Sequence, residues 1–206
     1  MTEPIPVKTV PLPADYGCVA IYWVTRKIFG RRIKLPNFIG FAIMLVTWSK
    51  FCHAFVYIGD GKIVEAQPSG ACVSPLAKYD NKNIVWSTDA LDTSQRQIII
   101  AKARSLVGKG YGFLDIFAQA LVRFGLKNAW LWHIVESEDR YICSQLVASC
   151  GKFAGVIAWL CGENNAALVT PAQLARRLAT RLRSNLSRWV RAPFAWYQPT
   201  RTPWHR

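Results

Sequence analysis

A thiol, an imidazole and a carboxylate are the groups in this 206-residue chain whose types and settings could do chemistry together: Cys143, His53 and Glu65. Nucleophilic catalysis by cysteine needs a thiolate, an imidazole to hold or exchange its proton, and a polar group to orient that imidazole. Cys143 follows Glu138-Asp139-Arg140 and stands where an apolar run, Tyr141 to Gly151, begins at helical spacing. Helix starts stabilise negative charge, thiolates included. Cys150, further along the same run, reads as a core thiol. Of the three histidines, His133 falls in a Trp-rich stretch and His205 near the end, which leaves His53. Taken singly, His53 is an ordinary half-buried strand histidine and Glu65 a solvated strand carboxylate; their joint pattern with Cys143 is what points to a site.

The elements that would position these groups follow from local pattern. Phe51 to Ile58 and Lys62 to Ala66 are β-rich runs joined by Gly59-Asp60-Gly61, a hairpin. A two-residue Asp-Gly loop would pair Ile58 with Ile63 and set His53 and Glu65 on opposite faces. A three-residue loop with Gly61 left-handed pairs Ile58 with Lys62, Val56 with Val64, Phe55 with Glu65 and His53 with Gln67. Residues 53, 55, 65 and 67 then share one face, and the Gly-Asp-Gly sequence suits that bulged turn. Gly17 to Trp23 reads as a first strand and Arg26 to Lys34 as a basic linker. Phe38 to Trp48 is uniformly apolar, so its secondary structure is open. It is far shorter than the roughly 20 residues that cross a bilayer, and is expected to be buried, with a shallow membrane contact the other reading. Asp92 to Val107 reads as a helix capped by Ser94 with Gln97 and stopped by Gly108. Phe113 to Phe124 and Asn128 to Val135 are further helices, and Thr170-Pro171-Ala172-Gln173 opens a last one. Strands first and helices later give an α+β pattern.

Four segments, in this order, resemble a known family. They are His53-Ala-Phe-Val-Tyr-Ile-Gly-Asp-Gly-Lys-Ile-Val-Glu65-Ala, Gly108-Lys-Gly-Tyr111-Gly-Phe, Tyr141-Ile-Cys143-Ser-Gln-Leu-Val and Thr170-Pro171-Ala-Gln-Leu174. They resemble the circularly permuted NlpC/P60 cysteine hydrolases, the YiiX-like group, in which the histidine precedes the cysteine along the chain. The resemblance implies a permuted papain-like fold, a small antiparallel sheet packed against helices. It implies Cys143 as nucleophile, His53 as general base and Glu65 as orienting group, with Gln67 the alternative third member. The backbone N–H of Cys143 would be an oxyanion donor, and Tyr111 and Tyr141 would line the site with Gln67. The family's opening Gly-Asp pair is missing, with Asp15-Tyr16-Gly17 in its place. The N-C-E-H-F signature of lecithin-retinol-acyltransferase-like relatives is absent too. The Trp- and Phe-rich stretch between Tyr111 and Cys143 would be a helical cover over the cleft.

Composition bounds the rest. A hydrophobic fraction of 51% and an aromatic fraction of 13% fit a packed globule. The organisation expected is an extended arm over residues 1–13, a hydrolase domain over 14–192 and a basic aromatic tail over 193–206. Six cysteines without a C-x-x-C pair argue for core thiols rather than a disulfide frame or a zinc site. No metal or cofactor is expected. The net charge of +14 is uneven, with no Asp or Glu from Pro171 onward and a possible amphipathic helix from Arg176 to Arg191. Such a tail suits an anionic surface, either lipid headgroups or cell-wall polymer, and no nucleic-acid motif accompanies it. No secretory signal or membrane-spanning helix is expected, which fits a cytoplasmic or phage-encoded protein. The activity expected is cleavage of an amide in a peptidoglycan-type peptide through an acyl-enzyme. The alternatives are a lipid ester or thioester as substrate, or a binding module that retains only the fold.

Overall fold

In a computed structural model, residues 11–28, 31–87, 89–123, 125–126, 128–135, 139–163 and 165–181 are described. Residues 1–10 of the expected arm, Glu138, residues 182–191 of the expected amphipathic segment and the tail from 193 lie outside them. In chain order the strands and helices begin with β1 (Tyr16–Val19), β2 (Trp23–Ile28), β3 (Arg31–Pro36), α1 (Phe38–Thr47), β4 (His53–Gly59), β5 (Lys62–Gln67) and β6 (Gly70–Pro75). A 3₁₀ turn at Leu76–Tyr79 leads to β7 (Ile84–Trp86) and α2 (Thr93–Ser105). Then come β8 (Gly110–Tyr111), α3 (Phe113–Arg123), α4 (Ala129–Val135), β9 (Arg140–Tyr141), α5 (Cys143–Phe153) and α6 (Pro171–Arg181). The class is α+β, built on a five-stranded antiparallel sheet in the order β6-β5-β4-β1-β7.

The central hairpin combines both turn geometries that its sequence allows. Gly59 pairs with Lys62 around a two-residue loop, and Gly59, Asp60 and Gly61 have φ of 93°, 51° and 65°. Ile58 is then extra: the register shifts between Tyr57 and Gly59, so Tyr57 pairs with Ile63, Val56 with Val64 and Phe55 with Glu65. The bulge restores the register expected of a three-residue loop, although Lys62 faces Gly59 and not Ile58. Alternation along β4 and β5 then sends Ala54, Val56, Val64 and Ala66 into the main core and Phe55 and Ile63 into a smaller one. The main core is completed by Ile99 and Ala103 of α2, Leu146, Val147 and Cys150 of α5, and Leu174 and Leu178 of α6. Tyr79, Trp86 and Val19 fill the smaller cluster on the opposite face.

Several local expectations are corrected. The first strand is Tyr16–Val19, because the chain leaves the sheet before Trp23. Arg26 to Lys34 is not a linker: β2 and β3 pair from Trp23↔Pro36 to Ile28↔Arg31. High charge density there reflects a ribbon outside the main sheet, not a loop. Phe38 to Trp48 is a helix, capped by Asn37 and ended by a left-handed Trp48, but only Gly40 and Ile43 of it are buried. α2 is capped by Asp92, whose carboxylate accepts from Gln95 N at 2.7 Å while Gln95 returns the bond to Asp92 N. Aspartate caps as well as serine does, and here it stands at the first turn. Tyr141 precedes α5, on β9, which pairs in parallel with β8.

α5 also packs against a fully buried Trp159, whose indole donates to Asp89 Oδ2 at 3.0 Å while Arg177 clamps both oxygens of that carboxylate. A Cβ on Gly151 would stand 2.6 Å from the Trp159 side chain. Gly151→Ala is therefore expected to lose about 1–3 kcal/mol through overpacking, measured as a lower urea midpoint with unchanged slope.

Candidate active site

His53 is the first residue of β4, where it pairs with Val19 of β1, and Glu65 sits on the neighbouring strand. The bulge puts both side chains on one face, and His53 Nε2 meets Glu65 Oε2 at 2.7 Å. An ionised carboxylate only accepts, so Nε2 carries the proton and Nδ1 is left for another partner. The Cys143 thiol lies near enough to the imidazole to raise the His53 pKa. Its own hydrogen bond goes to the Cys52 carbonyl at 3.7 Å, which fixes the start of α5 against the start of β4.

Glu65 is fully buried and wholly satisfied. Oε2 accepts from His53 and from Tyr79 OH at 2.6 Å; Oε1 accepts from Gln67 Nε2 at 2.8 Å and Lys78 Nζ at 2.9 Å. Burial opposes the carboxylate's charge, yet the bonds with His53, Ser74 and Tyr79 hold its pKa far below the usual range. Burial likewise works against the imidazolium, but the contacts with Cys143 and Glu65 raise the His53 pKa to about 9. Burial pushes the other buried thiols up, Cys52 to about 11 and Cys150 to about 12.

The start of α5 is built to leave its amides available. Ile142 holds the cap position and has no side-chain acceptor to offer. Gln145 Oε1 accepts from Ile142 N at 2.8 Å, so the reciprocal half of a capping box forms alone. Ser144 Oγ donates to Val169 O at 2.6 Å and Gln145 Nε2 to Ala167 O at 3.0 Å, which pins the helix end to the segment before α6. Thr170 caps that last helix, accepting from Gln173 N, as its sequence predicts. The Cys-Ser-Gln triplet thus places the thiol and ties down the helix that carries it.

The structure brings Cys143, His53 and Glu65 together and treats the remaining candidates differently. Gln67 does not face His53. The β4–β5 ladder ends at the Phe55–Glu65 pair, and Gln67 pairs with Gly70 and donates to Glu65, Cys72 and Ser74. It supports the carboxylate from behind, and among the described residues Glu65 is the hydrogen-bond partner of the imidazole. Tyr141 is buried in the main core, and Tyr111 packs at the edge of that core. Tyr111 is close enough to Cys143 for the thiol to raise its phenol pKa, after the larger effect of burial. Sequence reasoning missed Lys78 and Tyr79, which lie on the 3₁₀ turn after β6 and carry no local signal of their partnership with Glu65. Among the described residues no group of three or more His, Cys, Asp or Glu is placed to hold a metal, and the cysteines are free thiols. No described helix is long and apolar enough to cross a membrane. The chain matches no protein-family model and no curated protein.

The ion pair has a pH signature. Stabilisation through His53 is complete below its ordinary value of 6.5 and is lost as pH rises through about 9. Stabilisation through Glu65 is complete above its ordinary value of 4.5 and fades in more acid solution. Glu65→Gln should lower stability by about 3 kcal/mol, the cost of removing one member of a buried pair. The difference in melting temperature from the wild type is expected to be widest between pH 4.5 and 6.5 and to narrow toward pH 9.

Proposed function

We propose that the chain is a cysteine hydrolase of the permuted papain-like type, with Cys143 as nucleophile, His53 as general acid–base and Glu65 as its positioning group. One observation carries this reading: a buried carboxylate holds the Nε2 of an imidazole at 2.7 Å, and a helix-start thiol lies near enough to that imidazole to raise its pKa. The order of the parts supports the permuted arrangement, since the strand-borne His53 and Glu65 precede the helix-borne Cys143. The resemblance of the four segments supports it further.

The substrate class favoured is an amide, as in the peptides of peptidoglycan. Cys143 sulfur attacks the carbonyl carbon, its proton held by His53, and the oxyanion is met by the Cys143 backbone N–H. The C–N bond breaks as His53 gives its proton to the leaving amine. Water then adds to the thioester, His53 takes a proton from it, and the acid departs as the thiol re-forms. Cys143 is 1% exposed, so a substrate reaches it only when the groups over the thiol move aside. A lipid ester or thioester is the second reading. The apolar border of a crevice at Ile142, formed with Ile43, Val46 and Ile116, favours it.

Labelling with a small thiol-directed electrophile, resolved by peptide mass spectrometry, tests the site. Cys143 is expected to react faster than Cys150 and Cys52, and His53→Ala to slow it by about a hundredfold or more. Equal rates at Cys143 and Cys150 would leave a folded binding module instead. Peptidoglycan fragments against lipid esters, each with a Cys143→Ala control, decide between the two substrate classes.

A further inference from the structure

α1 is the outlier of the fold. Its sequence, FIGFAIMLVT, has no charged residue, yet only Gly40 and Ile43 are buried. Phe38, Phe41 and Leu45 recur at helical spacing on the outer side, with Trp48 following at the cap. Phe38 and Leu45 are 76% and 70% exposed. The adjoining β2–β3 ribbon meets this surface through Tyr22, whose ring contacts Phe41 at 6.4 Å, and the next residue, Trp23, is exposed. A contiguous exposed apolar surface of this kind marks an interaction site.

Charge decides which partner fits. From Tyr16 to Gly59 the sequence has no Asp or Glu, while Arg26, Lys27, Arg31, Arg32, Lys34 and Lys50 fall within that stretch. Arg31, Lys34 and Lys50 are exposed. Exposed apolar and aromatic side chains on a stretch whose charges are all cationic complement a bilayer bearing anionic headgroups. A helix of ten residues is too short to span that bilayer, so it would lie in the interface plane. The helix is anchored for that posture. Asn37 Nδ2 donates to Ile21 O at 2.9 Å, and Arg176 donates to the Thr47 carbonyl at 3.2 Å. We propose that α1 and the β2–β3 ribbon form a docking surface for an anionic membrane, with Phe38, Phe41, Leu45 and Trp48 seated among the headgroups.

The surface also lies beside the Cys143 site. The inner side of α1, at Ile43, Val46 and Thr47, borders the same crevice as Ile142, the residue before the nucleophile. Ile21 N donates to the Cys52 sulfur at 3.3 Å, next to His53. Docking therefore holds the candidate active site at the lipid boundary, whichever acyl substrate it takes. The proposal does not depend on the catalytic reading.

Co-sedimentation of the full chain with vesicles tests it. Vesicles of phosphatidylcholine with phosphatidylglycerol should bind the protein, more weakly at high salt, and pure phosphatidylcholine should bind it poorly. Phe38→Glu combined with Leu45→Glu alters the two most exposed positions of the stripe and leaves the basic tail intact. It should weaken binding about tenfold or more, with unchanged circular dichroism and melting temperature. Arg31→Glu with Lys34→Glu should remove the preference for anionic vesicles. Cys143→Ala should bind like the wild type, which separates docking from catalysis. Vesicle binding unaffected by Phe38→Glu/Leu45→Glu would overturn the proposal in favour of the tail. So would a lipid-independent dimer that this variant dissociates, or salt-sensitive capture by an anionic cell-wall polymer without any by vesicles.

Discussion

A carboxylate with no exposure to water persists in a folded chain only when its charge and lone pairs are met from within. Glu65 is in that position, and the requirement reaches far beyond its own strand. His53 comes from β4, Gln67 from further along β5, and Lys78 and Tyr79 from the turn after β6. Tyr79 in turn lies stacked on Phe55 with ring centroids 5.1 Å apart, so the group that satisfies the carboxylate is itself held by the core of the sheet's second face. Satisfying one charge thereby ties together two strands and a turn, and the imidazole is fixed by its Nε2 as a consequence.

A single extra residue makes that possible. Side chains alternate along a strand, so the tight loop at Asp60-Gly61 alone would have set His53 and Glu65 on opposite faces. Ile58 absorbs the difference as a bulge, and the faces agree again. This much was legible, because glycine spacing and β-branched residues carry local information about turn and register. The start of the nucleophile helix and the capped last helix were legible for the same reason. The supporting cast of Glu65 was not: nothing in the neighbourhood of Tyr79 announces a partner on another strand, and such pairings exist only after the sheet forms. The β4–β5 ladder stops two pairs short of where simple extrapolation carried Gln67. α1 resisted assignment because uniform apolarity has neither the period of a helix nor that of a strand. The neighbouring ribbon was hidden by its own charge.

The fold also treats its thiols unequally. Cys150 points into the densest part of the core and Cys52 is engaged with the backbone of Ile21, both with pKa values pushed up by burial. Cys143 is the thiol that shares its surroundings with an imidazole and with a helix start whose cap residue cannot accept a hydrogen bond. Position, not thiol chemistry as such, distinguishes it.

β1 lies inside the sheet, between β4 and β7, and Tyr16 at its head donates to the carbonyl of Leu174 in the last helix at 3.4 Å. The first of the described strands in chain order thus depends on partners that all follow it in the sequence. Its two edges stay unpaired until residues far along the chain arrive, and its final bond waits for α6. Assembly governed by such distant closures is slow and leaves open strand edges vulnerable to the wrong partner during synthesis. A chain truncated before α6 would keep the triad's three residues in its sequence but lose the helix that closes the core over β1.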